Sequence, residues 1–288
     1  MAASDDLSMT HSSYILDAEN AAEMARLSKQ HRFMTEYGGG LLPGDLPLAR
    51  VQSILDVGCG PGGWALDVAA AQPDIQVTGI DISPKMVEYA GLQAAEEKLM
   101  NTNFVEMDVR QPLDFPDQTF DLVNARMVGW FMAPDLWPRM VKEYTRVLRP
   151  GGMIHLLEGE FGLTNGPANE SICGFLMQAL KRAGLGFSPD GRQIGITPML
   201  GRFLRDAGCQ DTHMHIYGLD CSYGTPMYSH GVQDAIVGWK LAQPFLLKMG
   251  VTTQQEMARL YQLATEEMHS ANFCSLWTFV SVWGELPA

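Results

Sequence analysis

The sequence predicts an α/β protein with a doubly wound, mostly parallel sheet. Two observations carry that expectation. An apolar run, Ile54-Leu55-Asp56-Val57, leads into a turn with glycines at alternate positions, Gly58, Gly60 and Gly62, and a helix-forming run starts at Trp64. Strand-like and helix-like segments then alternate as far as Glu158, the pattern of a parallel sheet with crossover helices.

The elements follow in chain order. Residues 1–13 are polar. Residues 17–37 read as a helix, with Met24, Leu27, His31 and Met34 on one stripe and Arg26, Gln30, Phe33 and Tyr37 on another; Gly38-Gly39-Gly40 stops it. After the glycine turn and its helix, Ile75–Ile80 is a second strand ending in Asp81. Ser83 then caps a helix that has Pro84 at its first position. Asn103–Met107 is a third strand ending in Asp108, and Phe120–Ala125 a fourth. Leu148-Arg149-Pro150-Gly151-Gly152 turns a helix into a fifth strand, Met153–Glu158. Beyond it, 168–184 and 197–207 read as helices, 211–219 as a strand, and 229–269 as helix broken near Pro244. Thr253 with Glu256 makes a capping box inside that last stretch, and 273–283 alternates as a final strand. No repeat or low-complexity tract interrupts the order.

Composition narrows the function classes. The chain has 288 residues, is 46% hydrophobic and carries a net charge of −13, with a pI of about 4.9. Nucleic-acid binders normally present a basic face, so nucleic acid and anionic membranes are not expected partners. No apolar run approaches the ~18 residues of a membrane span, and Met1-Ala2-Ala3-Ser4-Asp5-Asp6 is not a secretory signal. The five cysteines (59, 173, 209, 221 and 274) are scattered without a C-x-x-C pair. Neither zinc nor a disulfide framework is indicated, and reducing cytoplasm is the expected location.

The glycine turn allows two ligands. Residues 58–63 also satisfy G-x-G-x-x-G, the dinucleotide fingerprint. Asp56 opposes that choice, because a carboxylate there suits a ligand with a positive end and repels a pyrophosphate. Asp81, about 20 residues on, suits ribose hydroxyls in either case. The D-x-G-x-G-x-G form, followed in order by Asp81, Asp108 and the L-x-P-G-G turn, resembles the class I S-adenosylmethionine (SAM) methyltransferases over residues 51–158. The resemblance implies a seven-stranded sheet with an antiparallel last strand, SAM as cofactor and S-adenosylhomocysteine as product. It implies a cofactor pocket formed by Asp56, Gly58, Gly60, Asp81, Ile82, Met86, Asp108, Val109, Asn124 and Met127, with Asp108 toward the adenine amino group. It also implies an N-terminal arm or lid over 1–50, a methyltransferase domain over 51–288, and helical cap insertions at about 160–195 and 225–268.

The core motif supplies no Arg or Lys for the methionine carboxylate of SAM, so Arg26 and Gln30, one turn apart on the N-terminal helix, are its candidate donors. Tyr14 is a candidate to cap the active site. Glu158 is expected at the mouth where the methyl group emerges, as an acceptor-orienting group or base, with Glu160 behind it. His213 and His215 share a strand face without an evident third metal ligand, and no metal site is expected. His155, mid-strand, reads as a core histidine. A Met- and aromatic-rich cap favours a small, largely apolar acceptor of the kind met in secondary metabolism. Self-association, if present, is expected through the arm or the cap. A SAM-binding regulator or a pericyclase-like enzyme is the competing class, and an NAD(P)-dependent oxidoreductase a weaker one.

Overall fold

The structure is a computed structural model that describes residue 16 and residues 20–288. Tyr14 and the polar N-terminus lie outside the described residues. The sheet has seven strands: β1 (Ser53–Val57), β2 (Gln76–Asp81), β3 (Thr102–Glu106), β4 (Phe120–Arg126), β5 (Leu148–Thr164), β6 (Gln210–Asp220) and β7 (Ser275–Glu285). Their spatial order is β3-β2-β1-β4-β5-β7-β6. β1 to β5 pair in parallel, and β7 runs antiparallel between β5 and β6. The strand order reverses beside β1, the place where open α/β sheets bind ligands beyond the strand ends.

The helices are α1 (Ala21–Tyr37), α2 (Gly63–Ala71), α3 (Pro84–Glu97), α4 (Trp137–Val147), α5 (Pro167–Arg182), α6 (Leu200–Asp206), α7 (Tyr228–Lys248) and α8 (Gln254–Met268). Local chemistry sets their starts. The Asn20 side chain caps α1, Ser83 accepts from the Met86 N–H ahead of α3, and Thr253 accepts from the Glu256 N–H ahead of α8. Ile54, Leu122, Met153 and Trp283 pack on one sheet face against Trp64, Ala65 and Val68 of α2. On the other face Leu55, Val123, Ile154 and Val282 meet Trp137, Met140 and Tyr144 of α4, in a core that continues into α5, α7 and α8. α1 packs on α7 and α2. Among the described residues, no helix is long and apolar enough to cross a membrane.

Three boundaries differ from expectation. The long C-terminal helix breaks at 249–253, where Gly250 takes φ 64°, and Pro244 lies inside α7. Packing against α1, α5 and α8 holds the helix through the proline. β5 starts directly at Leu148, and its register with β4 slips after Phe120, so Arg149–Gly152 form a bulge within the strand. At its other end β5 runs past Glu158 to Thr164, because β7 continues to pair with it as far as Ser275.

Gly62 shows why the glycine turn tolerates so little. It takes φ 82° as the N-cap of α2, and an added Cβ would stand 2.6 Å from the Ala90 Cβ and 3.2 Å from the Phe104 ring. Gly62→Ala combines a left-handed backbone with overpacking and should cost about 2–4 kcal/mol. Urea unfolding of the variant checks this; an unchanged midpoint would refute it.

Candidate active site

β1 delivers Asp56 to the end of the sheet, and the turn 58–62 bends the chain away from it. The turn is pinned from two sides: the Cys59 N–H donates to the Ile80 carbonyl (2.9 Å), and the Gly60 N–H donates to Asp81 Oδ2 (2.9 Å). Asp81 Oδ1 accepts from the Ser83 N–H (2.9 Å), so each oxygen keeps a lone pair for a ligand. A large cavity opens above the turn. Of the residues expected in the cofactor pocket, Gln30, Asp56, Gly58, Gly60, Asp81, Ile82, Met86, Asp108, Val109 and Met127 all line it.

Asn124 does not. It is fully buried in β4, one strand over from Asp56. Its amide donates to Asp56 Oδ1 (2.7 Å), so its carbonyl faces His155 Nδ1 (2.7 Å). That carbonyl can only accept, which places the His155 proton on Nδ1 and leaves Nε2 to accept from Ser281 Oγ (2.8 Å). Burial pushes the His155 pKa down to about 3, and the ring stays neutral. Burial likewise raises Asp56 to about 7, opposed by Asn124 and by the nearby Arg126. Asn124 therefore orients a cavity-lining acid from behind.

The acids further along the cavity are engaged. Asp108 is held by the Arg110 guanidinium, with Nε at 2.8 Å from Oδ1 and Nη2 at 2.9 Å from Oδ2. Those bonds keep its carboxyl below the usual range despite partial burial, and an adenine amino group would have to share them. Glu160 lines the cavity but accepts from the N–H groups of Ile194, Gly195 and Thr197 and from the Thr197 hydroxyl. It straps the 184–197 loop to β5.

Glu158 is not at the mouth. β5 continues past it, and the side chain is 1% exposed under the 3₁₀ turn Val128–Trp130. Its Oε1 accepts from the N–H groups of Val128 (2.7 Å) and Gly129 (3.0 Å). Oε2 has no hydrogen-bond partner among the described residues. Burial raises its pKa to about 8. It holds the Val128–Trp130 turn and is not among the residues that line the cavity above the glycine turn.

Arg26 is also not the free donor expected for a carboxylate. It forks onto Glu23 (2.7 Å to each oxygen) and reaches Asp234 of α7 (2.9 Å). Gln30 points to the same Asp234 at 3.4 Å. Phe33 is buried against Trp277, whereas Tyr37 is 39% exposed, so these four residues do not act as one face. Sequence reasoning missed Arg126, Asp234, Leu27 and His31, which all line the cavity. Arg126, at the end of the fourth strand, had a positional signal; Asp234 had none. His213 and His215 both meet Asp45 on the sheet edge, and His213 stacks on Trp283, which accounts for that pair as an edge cluster.

The Glu158 environment has a pH signature. Its folded pKa, about 8, lies above its ordinary 4.5. Its contribution is then fully present below about pH 4.5, declines as the unfolded carboxyl ionises, and is lost once the pH passes about 8. Glu158→Gln keeps an acceptor for the two N–H groups and removes the ionisation. Urea unfolding from pH 5 to 9 should show a flatter stability profile for the variant, with no loss of stability at pH 8–9. A variant clearly weaker at pH 9, with the wild-type slope unchanged, would refute this.

Residues 54–152 match a protein family described as a methyltransferase domain. The chain is 39% identical over 127 residues to the 27-O-demethylrifamycin SV methyltransferase of Amycolatopsis mediterranei, covering 44% of this chain and 45% of that one. It is 27% identical to the N-methyltransferase sirN of Leptosphaeria maculans over 97% of both chains. It thus spans less than half of the first relative and nearly all of the second. Among solved structures, the YcgJ protein of Bacillus subtilis shares the fold, with a TM-score of 0.51 at 17% identity over 82% of this chain and 92% of that one. The domain match, these relatives and the shared sheet topology support a class I SAM-dependent methyltransferase.

Proposed function

We propose that the chain transfers the methyl group of SAM to a small, largely apolar acceptor of secondary metabolism. The observation that carries this is one continuous cavity with two chemically different ends. At the sheet end lie the glycine turn, Asp56, Asp81 and Asp108; at the cap end lie Trp130, Trp239, Phe273, Trp277 and Phe279. One relative's name, a 27-O-demethylrifamycin SV methyltransferase, supports a small acceptor.

The residues fit SAM better than a dinucleotide. Asp56 carries negative charge to the floor of the turn, where a sulfonium ligand with an ammonium group is stabilised and a pyrophosphate repelled. When bound, SAM supplies a methyl group already activated for attack. The protein has then to orient the acceptor and exclude water, and orientation alone can supply ~7–11 kcal/mol. α5, α7 and α8 roof the cavity with apolar side chains, and α1 borders it. Where the acceptor must lose a proton, Asp234 is the better placed carboxylate: it lines the cavity, and its Oδ2 faces Gln30 at 3.4 Å.

Calorimetry should show S-adenosylhomocysteine binding and no NAD binding. Incubation with SAM and a panel of small apolar phenols, amines and enols should give a product one methyl heavier by mass spectrometry. NAD binding without S-adenosylhomocysteine binding would overturn the reading. Ala235 of α7 lines the cap end, so Ala235→Trp should raise the acceptor KM at least tenfold, about 1.4 kcal/mol, while S-adenosylhomocysteine affinity stays within twofold. An equal loss for both ligands would place α7 on the cofactor instead.

A further inference from the structure

Three guanidinium groups line the cavity, those of Arg26, Arg110 and Arg126. Arg26 is held by Glu23 and Asp234, and Arg110 by Asp108. Arg126 differs. Among the described residues its one hydrogen-bond contact is from Nη2 to His31 Nδ1, at 3.3 Å, and no carboxylate of those residues lies within ion-pair distance. It is nevertheless half-buried at the end of β4, and burial pushes its pKa down to about 10 although Asp56 and Asp67 act in the opposite direction. A desolvated cation without a bonded anion is costly unless a ligand supplies one.

The surroundings aim this group. His31 Nε2 meets Asp67 Oδ2 at 2.8 Å; a carboxylate only accepts, so the ring proton is on Nε2. Nδ1 is then an acceptor for the Arg126 N–H. Burial lowers the His31 pKa, which keeps the ring neutral and the acceptor available. His31 also packs on the start of α2, where a Cβ at Gly63 would stand 2.7 Å from its ring. α1 thereby fixes one arm of the Arg126 fork. Position completes the picture: Val57 pairs with Ala125 across β1 and β4, so Arg126 continues the row beside Gly58, with Asp56 one step below.

We infer that Arg126, oriented by the Asp67–His31 pair, binds the carboxylate of the cofactor's amino-acid tail, while Asp56 faces the ammonium group of the same tail. The two opposite charges match a zwitterion. A guanidinium fork takes a carboxylate through two parallel hydrogen bonds. This inference rests on SAM being the cofactor.

The test compares S-adenosylhomocysteine with its analogue lacking the carboxylate and with 5′-methylthioadenosine, which lacks the whole tail. Calorimetry of the wild-type protein should show the homocysteine form binding about 10- to 100-fold tighter than the decarboxylated one, the range for bonds to charged groups. In Arg126→Met that ratio should collapse toward one, with 5′-methylthioadenosine affinity unchanged, and Arg126→Lys should recover part of it. Arg126→Gln is the second probe, with thermal unfolding as the fold control. Equal losses for all three ligands in the variants, or an intact ratio in Arg126→Met, would overturn the assignment, as would collapse of the ratio in Arg26→Met alone. Failure of the wild-type protein to bind any of the three would instead overturn the SAM reading.

Discussion

A carboxylate buried at the end of a parallel sheet is the constraint around which this molecule is organised. Asp56 is 3% exposed, and a charge so placed is tolerated only with partners of the right sign and geometry. The protein supplies them sideways, across the strands. Asn124 donates from β4, His155 fixes Asn124 from β5, and Ser281 fixes His155 from β7. Each member has its hydrogen-bonding direction set by the next, because an amide turned to donate to Asp56 must present its carbonyl to the histidine. A row of this kind is stable only when complete. It ties the cofactor end of β1 to the antiparallel strand that enters the sheet last, so the orientation of Asp56 depends on the C-terminus having folded.

Charge is distributed by the same logic. The chain as a whole is acidic, at −13, yet the cavity places three guanidinium groups among its carboxylates. Two of them neutralise protein acids. Arg26 joins Glu23 on α1 to Asp234 on α7, so α1 and α7 share one buried ion cluster. Such a cluster adds little net stability when complete, but breaking it leaves an uncompensated charge. It therefore specifies how α1 sits on α7 more than it strengthens the contact. Glu160 does the corresponding work on the other side, holding the 194–197 loop against β5.

The parts legible in the sequence were those fixed by local chemistry. The glycine turn requires positive φ, the caps of α3 and α8 require a hydroxyl before the first turn, and an acid closes β2 and follows β3; each is visible within a few residues. Glu158 was misplaced because nothing near it reports how far β5 continues. That length is set by β7, more than 100 residues downstream, and pairing along it carries Glu158 under the Val128–Trp130 turn. Arg26 suits the cofactor carboxylate in sequence terms because the core motif offers no Arg or Lys for it. Its partner Asp234 is a feature of tertiary packing alone. Asn124 was assigned to the pocket lining from its place near the end of the fourth strand; strand alternation and pairing with His155 turn it inward.

These misplacements share a physical origin with the division of labour along the chain. Residues 54–152, which match the methyltransferase domain, hold the glycine turn and the acids at the sheet end of the cavity, and their geometry follows from backbone constraints common to such sheets. The cap lies outside that match. Its helices take their places through long-range contacts, α5 with α8 and α1 with α7, and its aromatic lining is free to vary without disturbing the turn below. The glycine-turn layer and the aromatic cap layer thus meet at one cavity. The link between them is α1, which touches both: His31 reaches the cofactor layer through Asp67 and Arg126, and Arg26 reaches the cap through Asp234. Any ligand that draws on Arg126 then acts on the helix that also anchors the cap, which couples occupation of the cofactor end to order at the acceptor end.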